Sequence, residues 1–419
     1  MQLRKAGAGF VAKLRKLRVA LAVAERGQIA AAARRLGVSQ SAATRAVQAL
    51  EEELGAELFH RSPRRLACTE AGHALTRRVA RALAHLRAAE EVVLATAGPG
   101  RLASGPLSQQ AADHELQALI AVGAGDTISA AARANGLSQP ALNRSLRTLE
   151  IRLGLPLFLR TRDGLRPTPE GEELLRRTKL ALTEIRQGVE ELALLRGAAA
   201  GRARIGALPM SRTRLVPLAV ERLLERFPAA EVAIVDGTYG SLLGSLRNGD
   251  LDVIVGTIRT PPPTEDIVSE ELFRDDIVIV ARAGHPVAAP GRPAPVLADC
   301  LDCGWVLPFK GVPLRTQFEA ALAGAGLPAP QRLIETDSLA VVRALLMRSD
   351  RLAIVSRHQV DPEVALGVLT ILPIPFPDVL RPVGLTLRRD YAPTPVTLTL
   401  LDALRAVAAE IGGPVPVAA

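Results

Sequence analysis

The sequence predicts a multidomain chain: two small, all-α-rich units, each followed by a long helix, and then a two-lobed α/β domain. Three observations predict it. The basic excess lies at one end, one block of residues occurs twice, and the apolar pattern changes period near residue 202. The 419 residues are too many for one ordinary domain. Hydrophobic residues make up 48% and aromatics only 3%, so aliphatic side chains must fill the cores and a disordered chain is excluded. Three cysteines cannot build a disulfide framework, which points to a reducing compartment. No apolar run approaches the roughly eighteen residues of a membrane span. The N-terminal stretch, with Arg4, Lys5 and the basic run from Lys13 to Arg18, lacks the apolar centre and cleavage site of a secretion signal. The expectation is a cytoplasmic protein.

The net charge is +9 and it is segregated. The first hundred residues hold 17 Lys and Arg against 8 Asp and Glu, the second hundred 13 against 11, and the remainder 22 against 24. Solubility does not require such segregation. A polyanion-binding head on a near-neutral body does.

Residues Ile29 to Gly72 align without a gap onto Ile128 to Gly171, at a constant offset of 99. About twenty positions are identical. They include Ala31 to Arg34 with Ala130 to Arg133, Ser39-Gln40 with Ser138-Gln139, and Arg45 with Arg144. Leu50-Glu51-x-x-Leu54-Gly55 matches Leu149-Glu150-x-x-Leu153-Gly154, and Leu58-Phe59-x-Arg61 matches Leu157-Phe158-x-Arg160. Leu66, Thr69 and Gly72 match Leu165, Thr168 and Gly171.

Each copy reads as helix–turn–helix–wing. An Ala-rich helix stops at Gly37 or Gly136, and Ser39 or Ser138 stands where it can cap the next helix. Val47, Leu50 and Leu54, or Leu146, Leu149 and Leu153, form the apolar face of that second helix. Its front carries Gln40, Ser41, Thr44 and Arg45 in the first copy, and Gln139, Pro140, Asn143 and Arg144 in the second. A hairpin with a basic tip follows, holding Arg61, Arg64 and Arg65, or Arg160, Arg162 and Arg166. Amide and guanidinium groups at a helix front suit base edges in a major groove, and wing arginines suit phosphates. The second copy sits in a segment of charge only +2. It is expected either to read DNA or to serve in assembly.

The pattern A-A-x-R…S-Q-[SP]-A-x-x-R…L-E-x-x-L-G-x-x-L-F-x-R…L-x-x-T-x-x-G resembles the DNA-binding domain of LysR-type transcriptional regulators, here present twice. The tail from Gly201 to about Gly413 resembles the effector domain of the same family. The resemblance implies a periplasmic-binding-protein-like fold, promoter DNA, a small-molecule effector and RNA polymerase as partners, and oligomers built through linker helices. The expected organisation is a first winged unit at 12–73, a linker helix at 74–96, a flexible linker at 97–112, a second winged unit at 113–171 and its linker helix at 172–198. The effector domain spans 201–413, with lobe 1 at about 202–268 and 369–413 and lobe 2 at about 269–368.

Both long helices carry a single apolar stripe: Leu75, Val79, Ala82, Leu86 and Val93 in one, and Leu174, Ala181, Leu182, Ile185, Val189 and Leu192 in the other. Such a stripe must be buried on a partner. Either the two helices pair within one chain, giving an intramolecular pseudo-dimer, or each pairs with its counterpart in another chain. The segment between them spans roughly 20–25 Å as a flexible coil.

Beyond Arg202, β-branched runs alternate with helical patterns. Strands are expected at 204–208, 232–235, 252–255, 277–281, 305–307 and 352–355, with the segments at 369–372 and 383–387 returning to the first lobe. The early β-α-β-α-β order predicts a parallel sheet. Loops after strands and at helix starts then offer effector contacts: Met210, Ser211, Thr238 and Thr257 from one lobe, Arg315 and Thr336 from the other. By resemblance, Met210, Thr238 and Thr257 fall where family members line the inter-lobe cleft. The hydroxyls suit a small organic anion or sugar, and each Ser or Thr also suits a plain helix cap.

No metal spacing, phosphate loop or nucleophile elbow is present, so neither a cofactor nor an enzymatic activity is expected. Cys300-x-x-Cys303 is the one constellation that could carry redox chemistry, although its surroundings favour ordinary buried thiols. The leading reading is a sequence-specific, effector-responsive transcription regulator. The alternative is a small-molecule-binding assembly protein in which one or both helix-turn-helix copies serve oligomerisation.

Overall fold

The computed structural model describes residues 13–60, 66–97, 106–124, 127–162, 164–198, 201–374 and 381–412. The chain divides into two compact units that meet in sequence at about residue 202, and each is taken by itself.

The first unit opens with α1 (Leu14–Arg26), α2 (Ile29–Leu36), α3 (Gln40–Leu54), the short hairpin β1 (Phe59–His60) and β2 (Ala67–Cys68), and the long α4 (Glu70–Ala97). After α5 (Leu107–Gln110) the same order returns as α6 (Asp113–Gly123), α7 (Ile128–Asn135), α8 (Gln139–Leu153), β3 (Phe158–Thr161), β4 (Gly164–Pro167) and α9 (Pro169–Leu195). Several of the positions shared by the two stretches are those that the backbone requires. Ser39 and Ser138 cap α3 and α8 by accepting from Ala42 N and Ala141 N. Gly37 and Gly136 stop α2 and α7 at φ of 64° and 65°, which is glycine territory. A carboxylate oxygen of Glu51 accepts from Leu58 N at 2.8 Å, and Glu150 does the same for Leu157 N at 2.9 Å, tying α3 and α8 each to its wing.

At the base of each wing, Thr69 Oγ1 donates to Glu57 O and accepts from Gly72 N, while Thr168 Oγ1 contacts Pro156 O and accepts from Gly171 N. This pulls the first turn of the long helix onto the strand before it. A Cβ on Gly72 would lie 2.0 Å from Leu58 O, and one on Gly171 would lie 2.1 Å from Leu157 O. The same turn is why the long helices begin at Glu70 and Pro169, several residues earlier than the apolar stripe alone suggests.

One ion pair is repeated with its polarity reversed. In the first copy Lys16 meets Glu53 at 2.7 Å; at the equivalent positions of the second copy Glu115 meets Arg152 at 3.0 Å. The geometry is the same and the charges are exchanged.

The expected flexible linker is corrected at its C-terminal end. Residues 98–105 lie outside the described residues, but α5 is ordered against α4, with Leu107 and Ala111 fully buried. The reason is a polar anchor invisible in composition: the Arg18 guanidinium donates to the carbonyls of Leu107, Ser108 and Ala111.

The second unit contains β5 (Arg202–Ala207), α10 (Leu215–Arg226), β6 (Glu231–Asp236), α11 (Tyr239–Arg247), β7 (Val253–Thr257) and β8 (Ile267–Asp275). It continues through β9 (Ile277–Arg282), β10 (Gly304–Leu307), α12 (Pro313–Gly324), β11 (Leu333–Glu335), α13 (Leu339–Arg348), β12 (Arg351–Ser356), α14 (Asp361–Ala365) and β13 (Leu369–Ile371). It closes with β14 (Arg381–Arg388) and α15 (Pro395–Gly412). Two five-stranded sheets result, in the orders β6-β5-β7-β14-β8 and β11-β10-β12-β9-β13. In the second sheet Ile277, Ile279 and Ala281 face one cluster with Trp305 and Phe318, while Val278 and Val280 face another with Val342 and Leu346. Both faces are buried, so the run Ile277 to Ala281 is apolar throughout.

The expected parallel pairing is present between β5 and β7, and the sheets are mixed because β14 pairs antiparallel with β7 and β8, and β9 pairs antiparallel with β12 and β13. Two expectations are corrected here. Segment 369–372 does not return to the first lobe; Thr370 pairs with Ala281 in the second sheet. Lobe 1 extends past residue 268, because β8 runs to Asp275 along the edge of the first sheet. Its polar residues Ser269, Glu270, Glu271 and Arg274 hide a strand whose buried apolar anchors are Ile267 and Phe273.

The close approach at Gly72 and Gly171 yields the first prediction. Gly72→Ala or Gly171→Ala forces a methyl group into a carbonyl oxygen and should cost about 1–3 kcal/mol or more. Thermal unfolding should show Tm lowered by several degrees, and an unchanged Tm would show that the turn does not make this contact.

Candidate nucleic-acid interface

In each copy the second helix of the helix-turn-helix buries one face and presents its front outward. Ala43, Val47, Leu50 and Leu54 are buried on α3, whereas Gln40, Ser41 and Arg45 are exposed and Thr44 is half-buried. On α8, Leu142, Leu146, Leu149 and Leu153 are buried, Gln139, Pro140 and Arg144 are exposed, and Asn143 is half-buried. Thr44 Oγ1 donates to Gln40 O, and Arg45 Nε reaches Ser41 O at 3.4 Å, so the α3 front is held locally with its guanidinium outward. The α8 front differs: Gln139 Oε1 accepts from Ser129 Oγ at 3.0 Å, and Pro140 replaces a hydroxyl with a ring. The two fronts therefore present different donor and acceptor sets.

In the second wing, β3 and β4 pair antiparallel with Arg160 opposite Leu165, and Arg160, Arg162 and Arg166 are exposed. In the first wing, β1 and β2 frame the tip, and Arg61, Arg64 and Arg65 lie outside the described residues.

The two copies share one continuous hydrophobic core that runs from Leu14 to Leu192. Its spine is an antiparallel pair, α4 on α9. There the Arg78 side chain, 1% exposed, donates to Glu184 at 2.8 Å, to Gln187 at 3.1 Å and through two nitrogens to Glu191. Arg81 also reaches Glu184 at 2.8 Å, and Arg77 reaches Glu191 at 3.1 Å. Elsewhere between the copies, Leu14 N donates to Asp113 Oδ1 at 2.9 Å. These residues are 99 apart, the repeat offset itself, so the first turns of the equivalent helices α1 and α6 meet on a local pseudo-two-fold axis. Sequence reasoning found the apolar stripes but not this polar seam.

The candidate effector residues divide into two kinds. Met210, Ser211 and Thr257 are brought together after β5 and β7: Thr257 Oγ1 lies 2.9 Å from Met210 Sδ, and Ser211 Oγ is 2.9 Å from both Leu208 O and Val255 O. Ser211 is thereby committed to the fold. Thr238 is exposed and caps α11 by accepting from Ser241 N, and Thr336 accepts from Ser338 N before α13. Arg315 is buried, paired with Glu319 at 2.7 Å and 3.7 Å from Glu335. A further cluster went unread in the sequence. Asp275, buried where β8 passes to β9, accepts from Ser356 Oγ and lies 3.8 Å from Arg381, where the chain re-enters the first sheet. Burial pushes the Asp275 carboxyl up and the Arg381 guanidinium down. Beside it Thr213 Oγ1 donates to His358 O at 3.2 Å, and Arg214 meets Asp361 at 3.1 Å, joining the turn after Met210 to the second lobe.

Among the described residues no group of three or more His, Cys, Asp or Glu could hold a metal ion, and no helix is long and apolar enough to cross a membrane. Cys300 is fully buried, with its Sγ 3.7 Å from Val296 O, and Cys303 is half-buried. Burial, with Cys303 and Asp299 adding to it, pushes the Cys300 thiol up to about 12.

Helix-turn-helix elements with outward amide and guanidinium groups, carried on one chain with a two-lobed α/β domain, define a DNA-binding regulator with an effector domain. Residues 196–409 match the LysR substrate binding domain, and residues 14–73 and 114–172 each match the bacterial regulatory helix-turn-helix protein of the lysR family. The chain belongs to the LysR family of transcriptional regulators. It is 34% identical over 397 residues to the HTH-type transcriptional regulator GalR of Pseudomonas putida, covering 95% of this chain and 98% of that protein. It is also 34% identical over 298 residues to the regulator PcaQ of Agrobacterium fabrum, covering 71% of this chain and 95% of that one. More than a quarter of this chain thus has no counterpart in that alignment. A full-length OxyR variant from Pseudomonas aeruginosa has a similar fold, at TM-score 0.52 and 25% identity, over 70% of this chain and 94% of that one.

The thiols give the second prediction. At pH 8 a thiol near 12 is ionised in only about one molecule in ten thousand. Cys300 should therefore resist alkylation in the folded protein and react only on unfolding in guanidinium. Comparable native and unfolded rates at Cys300 would contradict this environment.

Proposed function

We propose that one chain presents two DNA-reading heads, locked together by α4 and α9, and that an effector bound by the α/β domain changes how those heads engage a promoter. The observation that carries this reading is the pseudo-two-fold placement of two outward recognition fronts in a single polypeptide. Gln40, Ser41, Thr44 and Arg45 form the first reading surface, and Gln139, Pro140, Asn143 and Arg144 the second. Arg160 and Arg162, with Arg61, Arg64 and Arg65 of the other wing, neutralise phosphates. Because the fronts differ, the preferred operator consists of two unlike half-sites rather than a palindrome, since operator symmetry mirrors protein symmetry.

The effector is a small organic anion or sugar held at strand ends and helix starts, with Met210, Thr238 and Thr257 from one lobe and Thr336 from the other. Ser211 and Arg315 support this site from within the fold, because their polar groups are already engaged. An effector shifts the regulator only to the extent that it binds two arrangements of the lobes unequally. The contacts of Thr213 and Arg214 with the second lobe are suited to report that difference. RNA polymerase is the downstream partner.

Two measurements check this. Gel shifts on DNA from upstream of its own gene should show Arg45→Ala and Arg144→Ala each weakening binding by about tenfold or more, as loss of a bidentate base contact does. Arg160→Ala should weaken binding more evenly across sequences and reduce its salt dependence. If Arg45→Ala matters and Arg144→Ala does not, the second copy serves assembly instead of reading. For the effector, a metabolite that raises Tm should lose that effect with Thr238→Ala; an unchanged shift would remove Thr238 from the site.

A further inference from the structure

The seam between α4 and α9 carries information that the apolar stripes do not. The two helices run antiparallel: Arg77 meets Glu191 and Arg81 meets Glu184, so positions near the middle, Leu83 and Leu182, face each other. Those two are also 99 apart, which puts them on the pseudo-two-fold axis. Any pairing of equivalent helices would therefore preserve this register, whether α4 with α9, α4 with a second α4, or α9 with a second α9.

The three pairings are not equal. In the observed one, Arg78 is buried against Glu184, Gln187 and Glu191. At the repeat offset those three positions of α4 are His85, Ala88 and Val92. A second α4 would thus oppose each buried Arg78 with an imidazole, a methyl group and an isopropyl group, at both ends of the pair. A buried guanidinium with no carboxylate opposite it is strongly unfavourable. On α9 the arginines equivalent to Arg77 and Arg78 are Arg176 and Arg177, and both are held by Glu173 of their own helix at 2.6 and 2.8 Å. The α4 residue equivalent to Glu173 is Ala74, so Arg78 has no such intrahelical carboxylate at that position. Helix α9 can satisfy its arginines alone. Helix α4 depends on α9.

We propose that this pattern is a pairing code: α4 accepts α9 and rejects a second α4, so the long-helix surface closes within one chain and is not offered to another copy. The code deepens the two-headed reading given above and rests on it. It names Arg77, Arg78 and Arg81 on one side, and Glu184, Gln187 and Glu191 on the other, as the residues that set partner choice. Placing a like charge or an apolar group opposite a buried charge is a general means of excluding the wrong partner.

Disulfide trapping in the full chain, with Cys68, Cys300 and Cys303 replaced by alanine, tests this without DNA, so its failure would leave DNA binding standing. Under mild oxidation, Leu83→Cys alone should stay monomeric on a non-reducing denaturing gel, and abundant covalent dimer would overturn the code. Leu83→Cys with Leu182→Cys should give a fast-migrating monomer linked to itself. Links between chains instead would overturn closure within one chain. Adding Arg77→Glu, Arg78→Glu and Arg81→Glu should slow this link by about tenfold or more, and adding Glu184→Arg and Glu191→Arg as well should restore it. An unslowed link in the first variant, or no recovery in the second, would overturn the assignment of these charges.

Discussion

A guanidinium taken out of water must meet a carboxylate, and in this protein that requirement holds the two halves of the first unit together. Arg78 is buried on α4, and its carboxylates lie more than a hundred residues away on α9. The apolar stripes supply most of the attraction between the helices, as burial of aliphatic surface does. The ion cluster supplies the geometry. Removing one partner of such a buried pair typically costs about 3–5 kcal/mol, enough to disrupt a unit of ordinary stability. With the seam closed, Leu14 and Asp113 also meet, and both helix fronts are carried on one continuous core.

The consequence for function is one of stoichiometry. A regulator with one head per chain needs two chains to read two half-sites, and the halves are then alike. Here the two fronts differ within a single polypeptide, Ser41 against Pro140 and Thr44 against Asn143, and the chain carries one effector domain. The copies differ at the helix fronts and also along the seam, where His85, Ala88 and Val92 of α4 correspond to Glu184, Gln187 and Glu191 of α9. Positions that hold the backbone remain the same or change in concert, as the exchanged pair Lys16–Glu53 and Glu115–Arg152 shows.

What the sequence made legible follows from the same division. Among the repeated residues, Ser39, Glu51, Thr69, Gly72 and their counterparts proved to be caps, ties and close approaches, because local backbone geometry admits few alternatives there. The strands with continuous β-branched runs were equally plain. Hidden from it were elements whose burial comes from distant partners. The strand from Ile267 reads as polar because it is an edge, and α5 reads as a linker because its anchor, Arg18, lies ninety residues earlier. Arg78 and Glu191 look like solvent-facing charges on long helices, and only the pairing of those helices reveals them as core. Among the effector candidates, Ser211 and Arg315 were singled out by loop position, yet their polar atoms were already committed to Val255 and Glu319.

The most direct test of the whole account is the distance between the two heads inside one molecule. Spin labels on cysteines replacing Gln48 and Arg147, which are exposed on the equivalent helices α3 and α8, report it by pulsed electron resonance. The account predicts one narrow distance distribution that is unchanged when labelled protein is diluted with unlabelled protein. A broad distribution, or a signal that disappears on dilution, would show that the heads pair between chains and would contradict it.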